Sequence, residues 1–90
     1  MANTFLLEIV TPTQFVLSKQ VEEMTAPGSE GEFGVLTGHA PLLTILKPGK
    51  LSYKIGKDIN RIAIGAGYAE AGPAKVTILT ETISQEIKQG

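Results

Sequence analysis

Apolar and polar residues alternate with a period of two along most of this chain, the signature of strands whose two faces meet different surroundings. In Phe5-Leu6-Leu7-Glu8-Ile9-Val10 the pattern places Phe5, Leu7 and Ile9 on one face, and Thr11-Pro12-Thr13 turns the chain. Phe15-Val16-Leu17 is a short strand, and Val21-Glu22-Glu23-Met24-Thr25-Ala26 a weaker one that ends at Pro27-Gly28. Leu42 to Leu46 is apolar nearly throughout and stops at Lys47-Pro48-Gly49-Lys50. Pro48-Gly49 fits the central positions of a type II turn, proline for its fixed φ and glycine for a positive one.

The cleanest alternation follows, with Leu51, Tyr53 and Ile55 on one face and Ser52, Lys54 and Gly56 on the other. Gly56-Lys57-Asp58 reads as a hairpin turn into Ile59-Asn60-Arg61-Ile62-Ala63-Ile64. Gly65-Ala66-Gly67 marks a bulge or a close backbone approach, the usual reasons for glycine inside a strand pattern. Tyr68-Ala69-Glu70-Ala71 leads to a turn at Gly72-Pro73, and Lys75 to Thr80 is the last convincing strand. From Thr82 to Gln89 the pattern breaks: Ile83 and Ile87 stand one helical turn apart, in a segment too short to be a stable helix alone. Roughly eight to ten short strands with frequent turns predict an all-β fold, an about ten-stranded β-sandwich or flattened β-barrel.

Composition narrows the picture. Ninety residues at 42% hydrophobic and 19% charged make one domain, too apolar for a disordered tail. A chain this short buries only about 60–65% of its unfolded surface, so modest stability is expected. The absence of cysteine removes a disulfide scaffold and a thiolate zinc site, and permits a reducing compartment. Eight Lys+Arg against nine Asp+Glu give a net charge of −1, which points to neither nucleic acid nor anionic lipid as partner. No apolar run approaches the roughly 20 residues of a membrane span. Met1 to Thr4 carries no basic region before Phe5-Leu6-Leu7, so no signal peptide is expected. Membrane association would therefore be indirect, through another protein.

Catalytic chemistry finds little to work with. His39 is the one histidine, and the serines are Ser18, Ser29, Ser52 and Ser84. Gly28-Ser29-Glu30-Gly31 lacks the spacing of a nucleophile elbow. Glu22 and Glu23 point to opposite faces of a strand, which suits a solvated surface better than an acid–base pair. A metal site would need His39 plus distant carboxylates without ligand spacing. No catalytic, metal or cofactor residue is therefore expected. Gly28, Gly31 and Gly34 resemble the glycines of a phosphate loop, but no Gly-Lys-Ser/Thr follows, and Glu30 and Glu32 would repel phosphate. Two readings stay open: a flexible turn, or a presented loop whose carboxylates face a basic or amide-rich partner.

The stretch from Gly28-Ser29-Glu30-Gly31-Glu32-Phe33-Gly34 through Gly38-His39-Ala40-Pro41-Leu42-Leu43-Thr44, with Lys47-Pro48-Gly49 after it, closely resembles the epsilon subunits of bacterial F-type ATP synthases. Leu7-Glu8-Ile9-Val10-Thr11-Pro12, Gly65-Ala66-Gly67-Tyr68-Ala69-Glu70 and Val76-Thr77-Ile78-Leu79 agree in order, so the likeness spans residues 4–82. It implies an N-terminal β-sandwich domain over 1–82 and a short C-terminal tail, 83–90, starting a helical region. Family members commonly continue into a helix pair that in many bacteria inhibits ATP hydrolysis and in some binds ATP. Inhibition and ATP sensing by such helices are expected to be absent from this molecule.

The resemblance further implies a non-catalytic part of the rotating central stalk. It would link the gamma subunit to the membrane-embedded c-ring and help couple proton flow to ATP synthesis. The place implied is the cytoplasmic face of the bacterial inner membrane, peripherally bound, with a monomer in isolation. Residue by residue, the c-ring contact falls on Ser29, Glu30, Gly31 and Glu32, and the gamma contact on Thr11, His39 and Thr44, a separate surface. Leu42, Leu43, Ile45 and Leu46 are expected in the core, with one alternating subset able to serve an interface as well. The alternative is a free-standing β-sandwich that binds a ligand such as a carbohydrate. Such a site wants aromatic stacking surfaces, and Phe5, Phe15, Phe33, Tyr53 and Tyr68 are mostly expected to face inward.

Overall fold

Alternation resolves into ten strands in a computed structural model that describes residues 3–38, 41–84 and 87–89. They are β1 (Phe5–Thr11), β2 (Gln14–Val21), β3 (Glu23–Gly28), β4 (Gly31–Leu36) and β5 (Leu42–Leu46). The second half adds β6 (Gly49–Ile55), β7 (Asp58–Ile64), β8 (Gly67–Ala71), β9 (Lys75–Thr80) and β10 (Ile87–Gln89). One curled sheet holds them in the order β10-β7-β6-β3-β5-β8-β9-β1-β2, with β4 paired to β3 alone. All pairs are antiparallel except β1 with β9.

The sheet folds over at β3 and β5, which share the single pair Gly28↔Leu46. One layer is β10-β7-β6-β3 with β4, the other β5-β8-β9-β1-β2. Inward residues of both layers make one core that includes Phe5, Leu7, Ile9, Met24, Leu51, Tyr53, Ile62, Val76 and Ile78. The far margin is tied as well, by the Glu22 N–H donating to the Lys54 carbonyl at 2.8 Å.

Three expectations about turns and the C-terminal segment need correction. Pro27 and Gly28 continue β3 instead of ending it. β3 pairs with β6 at Glu23 to Thr25 and with β5 at Gly28, so Pro27 sits where the strand changes partners and no ladder N–H is required. Nor is Pro48-Gly49 a type II turn: Gly49 opens β6 without positive φ. Its missing side chain serves packing, because a Cβ there would lie 2.9 Å from the Pro27 Cβ. Finally, the Ile83/Ile87 spacing is not helical. Ile83 bridges Ile64, the Ser84 N–H bonds the Ala63 carbonyl at 2.9 Å, and β10 runs antiparallel to β7.

The 56–58 hairpin forms as expected. Ile55 pairs with Asp58, and Gly56 at φ 61° followed by Lys57 without positive φ fits a type II′ turn. β5 departs most from expectation. Only Leu46 is buried, while Leu42, Leu43 and Ile45 are 40, 70 and 64% exposed.

Candidate functional site

The segment Gly28 to Glu32 is a tight hairpin. Gly28 pairs with Gly31 across Ser29 and Glu30, so those two residues form its tip. Neither has positive φ, which excludes the primed turns that match strand twist, and Gly31 at φ 129° absorbs the mismatch. A Cβ on Gly28 would lie 2.8 Å from the Gly31 carbonyl oxygen, so the closure also depends on that glycine. Ser29, Glu30, Gly31 and Glu32 are all exposed. The tip is not loose, however. The Ser29 N–H donates to the Ile45 carbonyl at 2.8 Å and the Lys47 N–H to the Pro27 carbonyl at 3.0 Å, anchoring the hairpin base to β5 at the fold between layers.

This anchoring brings together residues expected to be apart. Ser29 and Glu30 line one shallow depression with Leu43, Thr44, Ile45, Gly67 and Tyr68. Thr44 therefore does not lie on a surface separate from the hairpin. Thr11 lines an adjoining depression with Val10, Pro12, Leu79 and Glu81, and Gly67 and Tyr68 border both. Thr11 is itself 8% exposed, and Thr44 is half-buried, paired with Ala69 on the inward-facing row. His39 lies outside the described residues.

The outer face of the same layer carries a row that sequence reasoning missed. Register places Ile45 opposite Tyr68, Tyr68 opposite Leu79, and Leu79 opposite Val10. Directly opposed residues share a face, so these four apolar side chains form one cross-strand row. Tyr68 is 48% exposed, contrary to an inward aromatic, whereas Phe5 and Tyr53 are buried as expected. A signal was available in β8: Ala69 and Ala71 are small and face in, Glu70 must face out, and Tyr68 shares its side. The next outer row runs Leu43, Glu70, Thr77 and Glu8, in which Glu8 meets Lys75 at 2.8 Å.

Tyr68 is held in place by what precedes it. A Cβ on Gly67 would fall 1.8 Å from the Leu79 carbonyl oxygen, so β8 and β9 cross at true backbone contact. The Gly65 N–H donates to Thr80 Oγ1 at 2.9 Å, and the Glu81 N–H to the Ala66 carbonyl at 2.9 Å. The Gly65-Ala66-Gly67 segment is thus the close backbone approach its glycines suggested.

Among the described residues no three His, Cys, Asp or Glu side chains gather as a metal site would require. What the surface offers is contact: an exposed acidic hairpin tip beside an apolar row.

Residues 4–86 match the model of the ATP synthase delta/epsilon chain β-sandwich domain. The ATP synthase epsilon chain 2 of Syntrophotalea carbinolica is 50% identical over 82 residues, covering 91% of this chain and 59% of that protein. The epsilon chain of Desulfatibacillum aliphaticivorans is 52% identical over 84 residues, with the same shares. The chain thus spans 59% of the length of these relatives. Among solved structures, a chain of the Euglena gracilis mitochondrial ATP synthase, in a structure of OSCP/F1/c-ring, superposes with TM-score 0.84 at 29% identity. That match covers 90% of this chain and 52% of the other. Sequence likeness and superposition agree: the chain belongs to the ATP synthase delta/epsilon chain family, whose β-sandwich domain it forms.

Proposed function

We propose that this domain is a non-catalytic rotor component of an F-type ATP synthase, joining the gamma subunit to the c-ring at the cytoplasmic face of the bacterial inner membrane. It helps couple proton translocation to ATP synthesis by carrying load, without making or breaking bonds. The observation that carries this reading is the exposed hairpin tip tied into both layers of the sandwich. A contact that transmits torque has to be stiff behind its surface, and the Ser29–Ile45 and Lys47–Pro27 hydrogen bonds supply that stiffness.

Ser29, Glu30, Gly31 and Glu32 meet the polar loops of the c-ring. Partial desolvation of the carboxylates against amide or cationic partners favours correct docking more than raw affinity. Gamma engages the neighbouring end of the domain, where Thr11 and Thr44 border the two depressions beside Tyr68, together with His39. The carbohydrate alternative has little support, since Tyr68 is the one large exposed aromatic among the described side chains.

Reconstitution tests the proposal. Gamma and this chain are added to purified c-rings, and recovery with the ring and ATP synthesis in vesicles are measured. The chain should be retained on the ring with gamma; absence from the assembly in the presence of both partners would refute the reading.

A further inference from the structure

A sheet can grow at its edge strands, because one line of their main-chain N–H and C=O groups lacks a neighbour. β2 ends the sheet, with β1 as its one neighbour among the described residues. Its register with β1 slips at Ile9/Val10, so Val16 is an extra residue that disrupts the edge near the turn. From Leu17 to Val21 the pairing is regular. The Leu6 N–H donates to the Ala74 carbonyl, which turns the even positions of β1 toward β9. Antiparallel pairs alternate, so Ser18 and Gln20, opposite Glu8 and Leu6, send their main-chain groups to the open side.

The inward row of this stretch is Leu17, Lys19 and Val21, opposite Ile9, Leu7 and Phe5. Leu17 and Val21 are buried, yet the residue between them is an exposed lysine. Its Nζ stands 5.9 Å from the centre of the Tyr53 ring in the other layer. The stem covers apolar surface while the ammonium stays in water at the open margin. No acidic side chain pairs with Lys19 among the described residues. An uncharged chain of the same length would cover Tyr53 as well, so packing alone does not call for the charge.

The edge supplies the reason. A second copy of β2, laid antiparallel along the open side and centred on Lys19, would pair Ser18 with Gln20 of the second copy and Gln20 with its Ser18. That register uses every open main-chain group of the two residues and sets Leu17 against Val21 of the second copy. It also sets the two Lys19 side chains directly opposite, in a pair without mutual hydrogen bonds, where Cα atoms come within about 4.5 Å. Like charges so placed repel, and the added strand closes the margin through which each ammonium meets water. We propose that the free edge of β2 is a strand-addition site for a second copy of this chain, held shut by the charge on Lys19. The match is to itself, since apolar Leu17 and Val21 exchange places across the two-fold axis and only the central residue objects. This inference goes beyond the stalk reading and does not depend on it.

Sedimentation equilibrium of the parent and its variants is the test, with far-UV circular dichroism to establish folding. The parent should be a monomer. Lys19→Met keeps an unbranched chain over Tyr53 without the charge, and should strengthen self-association at least about tenfold. Lys19→Gln, which keeps a polar chain, carries the same expectation should the methionine variant fail to fold. Lys19→Glu restores like charges across the axis and should stay a monomer. Ser18→Pro added to Lys19→Met removes a main-chain N–H that only the open side uses, and should dissolve the dimer. Folded, uncharged variants as monomeric as the parent would overturn the proposal. So would a parent that already pairs, or a dimer that survives Ser18→Pro, because the contact would then lie elsewhere or Lys19 would not guard it.

Discussion

Gly67→Ala provides a severe test of how the outer face is held. The added Cβ would stand 1.8 Å from the Leu79 carbonyl oxygen and 2.8 Å from both Leu79 C and Thr80 Cα, all of them backbone. Reaching even a 3.0 Å contact requires β8 and β9 to part by about 1.2 Å (3.0 − 1.8). Hydrogen bonds of 2.9 Å do not survive that, so the Gly65–Thr80 and Ala66–Glu81 links are lost. Thr80 Oγ1, on a residue only 3% exposed, loses its Gly65 partners and keeps only its bond to the Thr82 carbonyl. With the Gly65 N–H to Thr82 carbonyl bond at 3.0 Å also broken, three links at about 1 kcal/mol each make the cost about 3 kcal/mol. A domain of this size has about 5–13 kcal/mol in total, so a fall in Tm of at least about 12 °C is expected. Thermal and urea unfolding followed by far-UV circular dichroism measures it. Gly34→Ala is the control: its Cβ would meet nothing nearer than 3.7 Å, and stability should stay within about 1 kcal/mol. A Gly67→Ala protein within about 1 kcal/mol of its parent would refute the backbone-contact argument.

Glu32→Lys should leave Tm within a few degrees, since the residue is exposed, yet weaken attachment to the c-ring in the reconstitution; unchanged attachment would reduce the hairpin to a turn. Leu43→Ser should alter stability by no more than about 0.5 kcal/mol, whereas Leu46→Ala should cost about 2–5 kcal/mol; equal losses in chemical denaturation would contradict the outward placement of Leu43. Tyr53→Phe should stabilise by about 1 kcal/mol, because the Tyr53 hydroxyl is buried without a hydrogen-bond partner among the described residues; a comparable loss would show that the hydroxyl is satisfied in solution.

The elements most legible in sequence are those with one face in the core and one in water. β6 alternates because Leu51 and Tyr53 stand between Lys50, Ser52 and Lys54, which must face out, and in β1 Glu8 sets the facing by sending Leu7 and Ile9 inward. β5 defeats the same logic. A strand with core on one side and an exposed apolar row on the other is apolar on both, and Leu42 to Leu46 reads like a fully enclosed strand. The hairpin tip was legible from Gly28, Gly31 and the two glutamates, although its proximity to Thr44 was not. That proximity arises from one pair between distant strands, Gly28 with Leu46, for which neither segment carries a local signal. Pro27 and Pro48 misled for a related reason: a proline can mark a change of strand partner as well as a turn.

The parallel pairing of β1 with β9 also governs when the domain can come into being. Leu6 lies opposite Lys75 and Val10 opposite Leu79, so the first strand finds its second neighbour only near the far end of the chain. Until then β1 has β2 alone, and an isolated two-stranded hairpin is at best marginal in water. At about 5–20 residues per second, the ribosome needs roughly 4–14 s to supply the intervening chain. Throughout that interval Phe5, Leu7 and Ile9, all but fully buried in the finished protein, lack the cover of Val76 and Ile78. Pairings of such long reach are slow to close and vulnerable to aggregation while open. Newly made chains thus pass through a window in which their first apolar strand is the part most in need of protection, and that window closes only when the ninth strand arrives.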